Sequence, residues 1–181
     1  MSSDSKKEIM EATYEALCKH GYAELSIEKI ADEFDKGKSL IYYHYDDKQD
    51  LMVSFLDYLL EMIDEEITRL PDGRPEEKLD RMLEKVLAVE NKEMRSFRKA
   101  VMEMQAQTPH DEKFAEKFRK IDELLKKEFE KILQENGVQA SESKANLLLS
   151  TIDGTMNRKL GYKTDGRSLK QIKKDIKQIF T

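Results

Sequence analysis

Tryptophan is missing, and cysteine occurs once, at Cys18. A lone cysteine cannot close an internal disulfide, so nothing argues for secretion. Only three prolines and seven glycines punctuate 181 residues. That scarcity, with Glu and Lys recurring at helical spacings and no β-alternating run beyond a few residues, favours helices over sheet. No apolar run approaches the ~20 residues a membrane span needs. The polar start MSSDSKKE has no signal-peptide character. A cytoplasmic protein with no membrane partner is the expectation. The three histidines, His20, His44 and His110, are scattered. No Gly-rich phosphate loop, nucleophile elbow, HExxH or paired-cysteine motif accompanies them. Catalytic residues, metal and cofactor are therefore not expected, and the chain is not read as an enzyme.

What is present in excess is charge, at 38% of residues, with a net −5. Its distribution is uneven. Residues 1–50 hold no arginine and seven lysines against twelve carboxylates, so the whole acidic excess lies in this stretch. The length suits one long domain or two small ones, with enough chain to bury a proper core.

One stretch of that acidic half organises the rest: LSIEKIADEFDKGKSLIYYHYDDK, residues 25–48. Ser26 can cap a helix, with Glu28 favourable at its positive end. Ile27, Ile30, Ala31 and Phe34 follow at helical spacing. Asp35-Lys36-Gly37 breaks the pattern, Gly37 allowing positive φ. A second short helix follows, about Lys38 to Tyr45. Two short helices joined by a tight turn, with small Ala31 at the crossing, describe a helix-turn-helix. The second helix is the candidate reader. Lys38 suits a guanine edge or a phosphate, Ser39 can donate, and Leu40 suits a thymine methyl. Tyr42, Tyr43, His44 and Lys48 suit phosphates, which fix register. Ser26 and Lys36 complete the candidate DNA-binding set. Ile41 is read as core, and Tyr45 as core in preference to contact.

KKEIMEATYEALCKHG followed by GYAELSIEKIADEFDKGKSLIYYHYDDKQDLM resembles the N-terminal domain of the TetR family of transcriptional regulators. The likeness covers about residues 5–55 and is carried by Gly21-Tyr22, Ile30-Ala31, Ile41-Tyr42-Tyr43-His44-Tyr45 and Lys48. It departs from the family in the turn, where Asp35-Lys36-Gly37 replaces Gly-Val-Ser, and at Ser39-Leu40, which replaces Gly-Thr. The resemblance implies an all-α homodimer that binds a palindromic double-stranded DNA operator. A small-molecule effector in the C-terminal part then usually releases the DNA. It also implies DNA contacts at Lys38, Ser39, Leu40, Tyr42, His44 and Lys48. A repressor is the expected role. The alternative is a helical protein-binding module that has lost DNA binding and docks a basic protein through its acidic half.

The periodicity predicts about nine helices: a three-helix DNA-binding domain over residues 1–47 and a helical bundle over 48–181. The first runs about Lys6 to His20, after frayed residues 1–4, with Asp4 or Ser5 as cap and Gly21 as its stop. The fourth runs about Lys48 to Leu70, so widely apolar that it should be sandwiched and act as a lever between domains. Pro71 to Pro75 is a loop, with Pro75 opening the fifth helix, which ends about Glu90. The sixth covers about Lys92 to Gln107 and the seventh about His110 to Glu135.

Ser141 is expected to cap the eighth helix, about Glu142 to Leu160, and Ser168 with Gln171 to form a capping box for the last. An effector cavity is expected among Met82, Val86, Met94, Phe97, Val101, Met104, Phe114, Phe118, Ile121, Leu148, Ile152 and Met156, with Asn91, Gln105, Asp153 and Asn157 as polar groups. The same apolar residues also suit an ordinary core. The eighth helix carries a second face of mostly small groups, which lets two helices approach closely. Leu147, Ser150, Thr151 and Gly154 on that face, with Ile172, Ile176 and Ile179 on the last helix, are the expected dimer interface.

Overall fold

The computed structural model describes residues 2–69, 71, 73–89, 91–163 and 166–180. Among them the chain is all α-helix, with no strand. The helices are α1 (Ser2–His20), α2 (Ile27–Ala31), α3 (Lys38–His44), α4 (Lys48–Thr68), α5 (Pro75–Val86), α6 (Lys92–Gln105), α7 (Glu112–Glu135), α8 (Ser141–Met156) and α9 (Leu169–Phe180). A π-helical turn, Asn157–Gly161, extends α8. Leu70, Asp72 and Glu90, expected at helix ends and in the loop before α5, lie outside the described residues, as does Met1.

The boundaries follow local chemistry. Gly21, at φ +73°, closes α1, and its N–H donates to Leu17 O at 2.9 Å. Such a φ costs any residue with a Cβ about 1–2 kcal/mol. Ser26 caps α2, its Oγ accepting from Lys29 N at 3.3 Å. Gly37, at φ +84°, sets the start of α3. Asn91 caps α6, accepting from Met94 N at 2.7 Å, which removes it from the expected polar groups of a cavity. Asp111 caps α7, its Oδ1 accepting from Lys113 N and Phe114 N.

Several boundaries differ from those expected. Ser2 to Asp4 are already helical, so Asp4 lies in the first turn of α1 and is not its cap. α2 ends at Ala31, yet Phe34 still reaches the core from the turn. Ser141 is the first residue of α8 and makes no cap; Ala140 precedes it at φ 53°. The capping box of α9 is half formed. Ser168 Oγ accepts from Gln171 N at 3.2 Å, but the Gln171 amide donates to Asp175 instead.

The chain divides into two compact units, Met1–Glu61 with Val89–Phe118, and Met62–Ala88 with Arg119–Thr181. In the first, α1 packs on α6 and α2, and α2 on α3. Ile9, Leu17, Ile30, Ile41, Leu51 and Phe55 are among its fully buried side chains. Phe55 meets the Phe97 ring edge-on at 6.3 Å, and Tyr14 lies 4.7 Å from Phe97 on the other side. Thr13 is buried, and its hydroxyl donates to Ile9 O at 2.7 Å.

In the second unit α9 packs on α5 and α8. Lys173 and Lys177 of α9 reach Glu84 (2.5 Å) and Asp80 (2.9 Å) of α5. Ile172 and Ile176, expected at a dimer interface, are buried within the chain itself by this packing. Their side chains have no surface left to offer a partner. Leu147 (61% exposed) and Ile179 (67%) do stand out, as do Ser150 and Gly154, while Thr151 is half-buried.

Phe55→Ala should destabilise the first unit by about 3–5 kcal/mol, the usual cost of emptying a buried aromatic site. Urea unfolding followed by helical circular dichroism measures it. A loss below about 1 kcal/mol would contradict the packing.

Candidate nucleic-acid interface

α3 has seven residues, too few to be helical alone in water. It is held from one side by Ile41, which is 0% exposed, and by Tyr45 just beyond its end, at 6%. Helical spacing then turns the rest outward. Tyr43 is 79% exposed, Tyr42 is 49%, and Ser39 is exposed beside them. Leu40 and His44 are half-buried, and the His44 ring stands edge-on to Tyr43 at 5.1 Å. Lys38 Nζ lies 5.2 Å from the centre of the Tyr42 ring. The exposed face thus presents a hydroxyl, two phenols and a cation on one turn and a half of helix.

The cations are not loose. Lys38 is paired with Glu28 of α2, and Lys36 with Glu8 of α1 at 2.6 Å. Lys19 is paired with Glu33, and Lys29 reaches both Glu24 O and the Glu24 carboxylate. Lys7 lies 3.9 Å from Glu11. The Lys38 ammonium and the α2 backbone hold the Glu28 carboxyl down at about 2, so the pair stays intact through neutral and mildly acid pH. The sign follows directly. Any stability it supplies is present above the ordinary value of 4.5 and lost as pH falls toward 2.

Lys48, expected on a phosphate, is half-buried. Its Nζ donates to Tyr22 O at 3.0 Å and sits 4.4 Å over the Tyr22 ring. Burial, then the charge of Lys29, lowers its pKa. Ser26 likewise uses its hydroxyl as a helix cap. The structure therefore brings Lys38, Ser39, Tyr42 and Tyr43 together on one surface, with Lys36 at the turn beside it. Lys48 is turned inward.

The expected effector residues fall into two groups. Phe97, Met104 and Phe114 belong to the core of the first unit, with Met94, Val101 and Phe118 packed against it. Met82, Val86, Ile121, Leu148, Ile152 and Met156 are buried in the second. A groove of about 320 Å³ in the second unit is lined by Asp64, Ile67, Lys78, Leu124 and Ile132, among others, and by none of the expected twelve. Among the described residues no group of His, Cys, Asp and Glu suits a metal. No described helix is long and apolar enough to cross a membrane.

Residues 9–55, the span of α1 to the first turns of α4, match the family model of bacterial regulatory proteins of the tetR family. A TetR transcription regulator from Haloarcula marismortui is 34% identical, with 98% of this chain and 97% of that one covered and a TM-score of 0.86. The chain belongs to the TetR family. Its members named here are transcriptional regulators, and the all-α architecture is theirs.

Two more distant solved structures share the TetR fold. One, described as a transcriptional regulator from Saccharomonospora viridis in complex with choline, is 18% identical (98% and 95% covered, TM-score 0.82). The other, the fatty acid degradation regulator FadR from Bacillus halodurans, is 16% identical (97% and 94% covered, TM-score 0.68). No curated protein matches this chain.

Sequence reasoning placed the short helix α3 of this TetR-family protein but not the carboxylate partners of Lys36 and Lys38. Glu8 and Glu28 lie 28 and 10 positions away from Lys36 and Lys38, and only Glu28 had a readable place, in the first turn of α2.

Should Lys36 and Lys38 meet phosphates, these pairs would set the salt dependence of DNA binding. A lysine that neutralises a phosphate normally releases about one counterion, a slope of about −0.9 per contact. Here each lysine leaves a carboxylate behind, which takes up a cation and cancels most of that release. The slope of log K against log [salt] should therefore be shallow. Glu8→Gln and Glu28→Gln should each steepen it by up to about one unit and raise low-salt affinity. A wild-type slope near −10, or no change in either variant, would contradict this.

Proposed function

We propose that this TetR-family protein is a ligand-responsive repressor that binds a palindromic operator as a homodimer in the cytoplasm. The observation that carries the reading is the exposed face of α3, where Lys38, Ser39, Tyr42 and Tyr43 stand on a helix anchored by Ile41. Residues 1–47 are proposed as the DNA-binding part and residues 48–181 as the effector and dimerisation part. One α3 covers a few base pairs, so a two-fold dimer reading two half-sites supplies usable affinity. Ser39 is the proposed base reader, and Lys38 takes a guanine edge or a phosphate. Leu40 is their apolar neighbour, and Tyr42, Tyr43, His44 and Lys36 are phosphate contacts.

The proposed dimer surface is the outer face of α8, where Leu147, Ser150, Thr151 and Gly154 recur at helical spacing, together with Ile179. Apart from its two chain neighbours and the backbone of its own helix, nothing lies within 4 Å of where a Cβ on Gly154 would sit. A symmetry-related helix can approach there closely.

The effector is proposed to be small and apolar or amphipathic, held in the second unit near Met82, Val86, Ile121, Leu148, Ile152 and Met156. To release DNA, the effector must bind the non-reading arrangement more tightly; equal affinity for both arrangements shifts nothing.

Selection of bound sequences from random duplexes tests the DNA reading. The expected outcome is a palindrome whose enrichment is abolished by Lys38→Ala combined with Tyr42→Ala. No enrichment even at low salt would instead favour a helical module docking a basic protein through its acidic half. Sedimentation at micromolar concentration should give a dimer, and Leu147→Glu should shift it to monomer. A wild-type monomer would remove the two-fold reading.

A further inference from the structure

The helix-turn-helix enters at Tyr22-Ala23 and leaves at Lys48-Gln49, and both ends are tied to one place, the corner between α6 and α7. At the entry, Glu103 Oε2 of α6 accepts from Tyr22 N at 2.7 Å and from Ala23 N at 3.0 Å. The positive φ of Gly21 turns these successive N–H groups toward a single point, a backbone nest for an anion. The fit is close: a Cβ on Gly21 would lie 3.1 Å from that same oxygen. The Tyr22 ring rests edge-on against Phe114, in the first turn of α7, at 5.9 Å.

At the exit, Lys48 Nζ donates to Tyr22 O at 3.0 Å. Gln49 Nε2 donates to Asp111 Oδ2 at 2.6 Å, while Asp111 Oδ1 caps α7. The Tyr22 residue is thus held at its N–H by α6 and at its carbonyl by α4. Every group named lies within the first compact unit.

Apolar burial alone does not fix a pose. It is non-directional and tolerates sliding of one face on another. Charge-assisted hydrogen bonds to backbone N–H groups are short and directional. We infer that Glu103 is a positioning residue for DNA recognition. Its carboxylate, received in the Gly21-Tyr22-Ala23 nest, fixes the orientation in which α3 is presented, with Asp111 fixing the other end through Gln49. Glu103 touches no DNA in this account. The inference rests on the DNA-binding reading of α3.

Three variants test it against an operator selected from random duplexes, each paired with a scrambled duplex of equal length. Glu103→Ala should raise the operator Kd about tenfold or more, as befits losing two hydrogen bonds to a charged group. Binding to the scrambled duplex should stay equal or strengthen. Glu103→Gln keeps a carbonyl oxygen for the nest and should restore most of the affinity. Leu133→Val, a mild core change in the second unit, serves as the stability control and should leave the operator Kd unchanged.

Amide exchange at Tyr22 and Ala23 should quicken in the Ala variant and stay slow in the Gln variant. A purely electrostatic role predicts the opposite sign, since removing an acid strengthens binding to any duplex. A purely structural role lowers the melting temperature and leaves the Kd of the folded protein alone. If folded Glu103→Ala binds operator as the wild type does, the inference is overturned while the DNA reading stands. If the wild type enriches no sequence, both fall together.

Discussion

A seven-residue helix cannot hold its own shape, and the exposed Ser39, Tyr42 and Tyr43 sit on such a helix. Isolated, α3 would lie far below the length at which helix formation becomes favourable. It exists because Ile41 and Tyr45 are buried against a layer made by α1, α2 and the first turns of α4. That single apolar attachment decides which residues face outward. It spends Ile41 and Tyr45 on the core and leaves Ser39, Tyr42 and Tyr43 in solvent.

The second constraint is electrostatic. A DNA-binding half with twelve carboxylates and seven lysines would repel a duplex if its charges were scattered. The structure shows a local answer: lysines at the reader, Lys36 and Lys38, are each matched with one carboxylate from a neighbouring helix. Such exposed pairs add little to stability, about 0–1 kcal/mol each. In the proposed reading their consequence is for binding, because a phosphate would have to replace a carboxylate at Lys36 and Lys38, where a basic domain would displace solvent ions. Acidity and DNA recognition are then compatible, with cation exchange between DNA and protein in place of net release.

Much of this was legible along the chain because its causes are local. Helical periodicity located each helix among the described residues to within a few positions. Gly21 and Gly37 were readable as positive-φ stops, and Ile41 and Tyr45 as the buried pair on the reader helix. The buried face of α8, from Leu148 to Leu160, was legible for the same reason. What failed was long-range. Ile172 and Ile176 read as part of a dimer face, and only the packing of α9 on α5 and α8 shows that they are used inside the chain. Glu103 carried no sequence signal. Nothing in its neighbourhood announces a bond to a backbone eighty positions earlier. Ser141 looked like a cap and is not one, because Ala140 takes the turn conformation that precedes α8.

The central claim is that α3, held by Ile41, is the surface that meets DNA. Titrating isotope-labelled protein with its selected operator and following backbone amide resonances tests this most directly. The account predicts that the largest shifts fall on Lys38 to His44 and the turn before them, with Ile41 and Tyr45 side-chain resonances keeping their buried signatures. Saturable binding that leaves the Lys38–His44 amides unmoved, with shifts confined to other helices, would contradict it.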